Sequence, residues 1–123
     1  METERVRGIR GASVVDSDDA HLISERVQEL LLEMMARNEL DSDSLISILF
    51  TATPDLTASF PAAGARAIGF GDIPLICATE IAVPGSMARC VRVLIHAYSL
   101  KVRGDIRHVY LHGAQVLRDD LPE

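Results

Sequence analysis

Tryptophan is absent and aromatic residues make up only 4% of the chain. Recognition by stacking on bases or flat cofactor rings therefore has little to work with. Cysteine is scarce: Cys77 and Cys90 cannot form a disulfide framework. An excess of basic charge is also missing, the formal net charge being −6. That argues against nucleic acid as a partner, since such proteins present a basic face. It leaves open a small anionic ligand, because a few arginines can make a local positive pocket on an acidic protein. No apolar run reaches the roughly 20 residues of a membrane helix, so no membrane partner is expected. The amino-terminal "METERVRGIR" carries charge where a secretory leader needs an apolar core, and a cytoplasmic protein is expected. Low-complexity tracts, internal repeats and linkers are absent.

What remains is an ordinary globular composition, 48% apolar and 24% charged over 123 residues. This suits a single domain over 1–123 with its own core. "RVRGIRGASVV" reads as a strand, and Gly8 and Gly11 within it suggest close backbone approach or a bulge. "SDDAHLISERVQELLLEMMARN" reads as an amphipathic helix, capped by Ser17 or Asp18, with acids in its first turn. Ile23, Val27, Leu30, Leu31 and Met34 form its apolar stripe. Glu25, Glu29 and Glu33 form a solvated one, with Arg37 placed to pair with Glu33. "SLISILFTA" is a buried strand. Thr53 or Asp55 can start a turn, and "PAAGARAI" a short helix with Pro61 in its first position. "IPLICATEIAV" is a further strand, stopped by Pro84 and Gly85. "MARCVRVLIHAYSL" fits a strand or a helix by length, and its β-branched content favours a strand. "IRHVYLHGAQVL" reads as a final strand pair turning near His112 and Gly113. Strands interleaved with helices predict a mixed sheet packed with helices, an α/β or α+β domain.

The run "ARCVRVLIHAY" raises a question of charge. A buried guanidinium is costly unless paired. As a strand, the run puts Val91, Val93, Ile95 and Ala97 on one face, and Cys90, Arg92, Leu94, His96 and Tyr98 on the other. Arg92 then either meets solvent or faces something anionic. Arg10, Arg66 and Arg118 could join it in holding carboxylates, or could be ordinary surface charges. Glu80 is the one acid in an apolar strand, and needs either a ligand's donor or a nearby arginine. Alternation puts Cys77 and Glu80 on opposite faces, so they should not share one pocket within one chain. His108 and His112, four apart, would lie about 13 Å apart on a strand and would not chelate one metal. No phosphate-binding glycine loop or nucleophile motif is present, and Cys77 reads as a small buried hydrophobe.

In order along the chain, "RGIRGAS", "TATPDL", "FPAAGAR", "CATEIAVPGS", "CVRV" and "IRHVYLHGAQVLR" resemble the small monofunctional chorismate mutases of the mixed α/β, non-helical type, from Arg7 to Leu121. The resemblance implies an α+β subunit of a homotrimeric pseudo-α/β-barrel, with three active sites between subunits. It implies an isomerase converting chorismate to prephenate, with no metal or other cofactor. Arg92 then faces the substrate's ether oxygen, Arg10 and Tyr110 hold carboxylate, and Glu80 accepts a hydrogen bond from the ring hydroxyl, with Cys77 beside that hydroxyl. Phe60, Ala62, Ile76 and Leu117 match pocket-wall positions, and Arg66 and Arg118 match arginines near the mouth. The chain departs from the pattern at Ala63, where relatives often carry lysine, and at Ile76, a threonine in some. The tail reads "LRDDLPE" where "LRPDL" is common, and the stretch from Arg66 to Pro74 is one residue shorter than in some relatives. Two other readings stand beside this one. One is an imine deaminase of the Rid type, which also forms trimers with a carboxylate-gripping arginine; the other is a non-catalytic metabolite-binding module. The order of "RGIRGA", Glu80 and Arg92 favours the mutase.

Overall fold

The computed structural model describes residues 3–117. Five strands form one mixed sheet: β1 (Arg5–Val14), β2 (Leu45–Ala52), β3 (Leu75–Thr79), β4 (Cys90–Ser99) and β5 (Val109–Leu111), in the order β3-β2-β4-β1-β5. The central strand β4 runs antiparallel to both β1 and β2, while the outer pairs β1–β5 and β2–β3 are parallel. The α+β expectation holds, with the helices α1 (Ala20–Arg37) and α2 (Ala62–Ala67) completing the subunit.

Period-two patterning decides which face the helices cover. Val91, Val93, Ile95 and Ala97 of β4 are buried, as are Ile9, Ile48 and Phe50 on the same face of β1 and β2. The α1 stripe of Ile23, Val27, Leu30, Leu31 and Met34 is wholly buried against them. Each such side chain contributes about 1.5–3 kcal/mol on leaving water. Two glycines permit the close layers. A Cβ on Gly11 would lie 2.5 Å from the Met34 sulfur, and one on Gly64 2.9 Å from the Ser24 carbonyl oxygen, so β1 and α2 both approach α1 without side chains there. Gly8 meets nothing closer than an ordinary contact, and the irregularity in the ladder falls at Leu45–Ser47 instead. The other sheet face carries no α-helix among the described residues; a 3-10 turn over Ala114–Leu117 buries Ala12 and Tyr110 at one side, and Val6, Ile76 and Tyr98 stand exposed.

Several local expectations are corrected. The α1 cap is Asp19, whose carboxylate accepts from Leu22 N at 2.9 Å, and the first turn holds no acid. Asp18 instead accepts from Thr57 and Ala58. Pro61 is the α2 cap and not its first residue. Strand β3 covers only Leu75–Thr79: Pro74 has no N–H to extend the ladder backward, and Glu80 follows the strand's end. The final strand pair is a single short β5, followed by a left-handed His112–Gly113 turn and a 3-10 turn over Ala114–Leu117. His112 contacts Glu29 at 2.7 Å. Asn38, buried at the end of α1, donates to the Met34 and Arg107 carbonyls and accepts from Arg107 N. That satisfied amide fastens the segment leading into β5 to the helix.

Candidate active site

The uncovered face of the sheet is built in transverse rows. One row reads Ala78, Thr51, Arg92, Ala12, Tyr110 across β3, β2, β4, β1 and β5. Arg92 therefore sits at the sheet's centre, between a threonine and an alanine, with room for its long side chain. The next row holds Leu49, Leu94 and Arg10. These rows surround a cavity of about 200 Å³, walled by Arg10, Thr51, Glu80, Arg92, Tyr110 and Leu117, with Leu49 and Leu94 beside them.

Glu80 reaches the cavity from just past β3, where its N–H donates to the Ala52 carbonyl at 2.9 Å. Its Oε2 accepts a hydrogen bond from the Thr51 hydroxyl and lies 3.3 Å from Arg92 Nε. The arginine partner anticipated for this acid is thus Arg92 itself. Arg92 is half exposed, its side chain at 51%, so it meets solvent as well as an anionic partner. The reason is the missing helix layer on this face. Arg10 is anchored at its backbone, its N–H donating to His108 Nδ1 at 2.9 Å. Tyr110 is buried with Ala12, Cys90 and Ala114.

The loop entering β4 is pinned. Asp55 accepts from Arg89 N through both oxygens, at 3.1 and 2.9 Å, and Thr53 Oγ1 accepts from Cys90 N at 3.0 Å. Arg89 is held at φ 49°, left-handed without being glycine, with its Nε bonded to the Val15 carbonyl. These contacts fix the start of β4 two residues before Arg92. Burial pushes the Cys90 thiol up to about 11, with Arg92 opposing the shift and Glu80 and Asp55 adding to it. Cys90 is therefore protonated near neutrality and no nucleophile.

The remaining expected residues divide. Phe60 and Cys77 line a second hollow of about 510 Å³, with Cys77 also packed against the helix-side core. Cys77 and Glu80 do line different cavities. Ile76 is exposed on β3 beside a shallow hollow with His96. Ala62 is buried at the start of α2, away from the Arg92 cavity, while Arg66 is exposed on that helix. Arg118 lies outside the described residues. Thr51, Leu49 and Leu94 line the Arg92 cavity without having been singled out as site residues. Splitting "SLISILFTA" by alternation would have put Leu49 and Thr51 on the Arg92 face. Among the described residues no group of three or more His, Cys, Asp or Glu is placed to hold a metal ion, and no helix is long and apolar enough to cross a membrane.

The profile of the family "Chorismate mutase type I" matches residues 6–121. Chorismate mutase AroH of Thermus thermophilus is 45% identical over 117 residues, covering 94% of this chain and 96% of that protein. Chorismate mutase AroH of Bacillus subtilis is 37% identical over 117 residues, covering 94% and 92%. The solved structure of a chorismate mutase from Clostridium thermocellum superposes with a TM-score of 0.88 at 47% identity, over 89% of this chain and 98% of that one. With a central sheet arginine, a paired acid and a second arginine around one cavity, and with full-length likeness in sequence and fold, the chain belongs to the type I chorismate mutase family, enzymes that isomerise chorismate to prephenate.

Proposed function

We propose that this protein rearranges chorismate to prephenate within the whole chain acting as one domain, using Arg92, Glu80, Arg10 and Tyr110. The observation that carries the assignment is their convergence on one cavity of the uncovered sheet face. In the reaction one carbon–oxygen bond breaks as one carbon–carbon bond forms, and atoms and electrons balance within the substrate. The protein has two tasks. It must hold a flexible dianion in its compact conformer, removing an entropic barrier. It must also stabilise negative charge growing on the ether oxygen.

Arg92 performs the second task. It cannot deprotonate, its backbone is fixed in the central strand, and its pairing with Glu80 through Nε leaves the terminal nitrogens for the ether oxygen. Glu80 accepts from the ring hydroxyl, and Arg10 and Tyr110 hold carboxylate. Leu117 supplies apolar wall.

The second half of the site comes from a neighbouring subunit of a homotrimer. Three observations support this. The sheet face bearing the cavity carries no α-helix among the described residues and exposes Val6, Ile76 and Tyr98. The cavity of about 200 Å³ falls below the roughly 300–1,000 Å³ of ligand pockets. The other wall residues, Phe60 and Cys77, face a different hollow of the same chain. Phe60, Ile76, Cys77 and Arg66 of one chain then complete the site around Arg92 of the next. A soluble cytoplasmic enzyme of aromatic amino acid biosynthesis fits this reading.

The test is chorismate consumption by the purified protein, followed by loss of its ultraviolet absorbance, together with sedimentation. Turnover by a trimer is expected. Binding without turnover would replace the enzyme with a metabolite-binding module. A ligand-bound structure with Glu80 and Cys77 of one chain in one site would overturn the shared-site arrangement.

A further inference from the structure

We propose that Thr51 is a positioning residue of this site, holding Glu80 so that the acid presents one oxygen to substrate and the other to Arg92. The inference rests on the mutase reading above. Glu80 has a weak scaffold of its own. It stands one residue beyond β3, at the sheet's edge, where the strand ladder no longer sets its direction. Its backbone is tied by the single bond to Ala52. A glutamate side chain in that position has several rotamers open to it, and fixing one costs entropy.

Thr51 has the opposite character. It lies within β2, between ladder partners Ala78 and Arg92 on either side. Its β-branched side chain is stiff at χ1, so its hydroxyl is a donor at a fixed place. That hydroxyl has one proton, which goes to Glu80 Oε2, the same oxygen that faces Arg92 Nε. Oε1 keeps no hydrogen-bond partner among the described residues, and is the oxygen left for a ligand hydroxyl. Without the Thr51 donor, Glu80 is free to turn toward Arg92 with both oxygens. It would then occupy the terminal nitrogens that the ether oxygen needs.

The experiment compares Thr51→Val, Thr51→Ser and Glu80→Gln, singly and with Thr51→Val and Glu80→Gln combined. Valine keeps the shape and suits a strand, and serine keeps the hydroxyl. Thr51→Val should lower kcat about tenfold or more, the range for losing a hydrogen bond to a charged group. KM should change far less, and Thr51→Ser should recover most of the rate. In the Glu80→Gln background Thr51→Val should add little, because the group it positions has changed. Should valine prevent folding, Thr51→Ala against Thr51→Ser reads the same difference. Wild-type kcat in Thr51→Val, or a double variant whose loss is the product of the two single losses, would overturn the role of Thr51. Absence of turnover in the wild type would instead remove the mutase reading on which the role depends.

Discussion

Replacing Arg92 with alanine separates a catalytic charge from a structural one, because the two readings predict different ratios of activity loss to stability loss. Arg92 is half exposed, and its partner Glu80 retains 22% exposure. An ion pair so open to solvent contributes only about 0–1 kcal/mol to folding. The truncation leaves the buried face of β4 untouched, since Val91, Val93 and Ile95 point the other way. Glu80 keeps its bond from Thr51. The melting temperature of Arg92→Ala should therefore fall by no more than a few degrees.

The catalytic loss should be far larger. A donor lost from a site of developing negative charge costs about 2.7–4 kcal/mol, or roughly a hundred- to a thousandfold in kcat. A charged donor lies at or beyond the upper end. Arg92→Lys refines the test: it keeps the charge but loses the planar fork, so it should recover little of the rate. The assay is loss of chorismate absorbance under saturating substrate, beside a thermal melt of each variant. A folded Arg92→Ala protein with turnover within a few-fold of wild type would refute the assignment. Full recovery by lysine would show that any positive charge suffices, and that the fork is irrelevant.

Two further outcomes follow from titration. Hydrogen bonds from the Thr57 side chain and the Ala58 and Thr57 amides hold the Asp18 carboxyl below its usual range. A depressed native value contributes stability above the unfolded pKa of about 3.9, lost as pH falls through the native value. Asp18→Asn should therefore melt below wild type at pH 7, with the difference closing below about pH 4; a gap that persists in acid would contradict this. Cys90, with its thiol at about 11, should resist alkylation at pH 7.5 in the folded protein. Mapping by mass spectrometry after iodoacetamide treatment checks it, and modification of Cys90 at the rate of an open thiol would mean that the start of β4 opens to solvent.

How far the sequence was legible depended on how far each residue sat from a regular repeat. Arg92 was readable because β4 is the central strand, with antiparallel neighbours on both sides. Every second side chain there must point one way, so two valines fix the direction of the arginine between them. The α1 stripe was readable for the same reason at period 3.6. Glu80 was misplaced because β3 is an edge strand, and nothing in "CATEIAV" tells where pairing ends. In "SDD" three adjacent residues can all cap a helix. Asp19 does so while Asp18 accepts from Thr57, 39 residues away, a contact that no local pattern announces. Cys77 and Glu80 line different cavities as expected, although Glu80 lies beyond the strand whose alternation was used to separate them. The roles of the residues came from resemblance, since geometry cannot say which arginine meets which oxygen.

Charge balance in the cavity leads to one more prediction. Arg92 and Arg10 bring two positive charges and Glu80 one negative, a net of +1 from the ionised side chains lining the cavity. The substrate is a dianion, so these groups leave one negative charge uncompensated. If a neighbouring subunit closes the cleft, as proposed, that deficit is costly. The resemblance implies a lysine at the position of Ala63, and this chain has none there. Arg66, three residues on, is exposed in the last turn of α2, and under the proposed shared site it is the candidate cation. If it serves, Arg66→Ala should raise KM by roughly tenfold or more, the worth of one charge-assisted hydrogen bond. It should change kcat much less, because holding a carboxylate binds ground state and transition state alike. Raised salt should weaken substrate binding by wild type more than by the variant, since screening acts on the contact the variant lacks. An Arg66→Ala protein with unchanged KM at low salt would mean that the second carboxylate is met by some other cation, or by water at the mouth of the cleft.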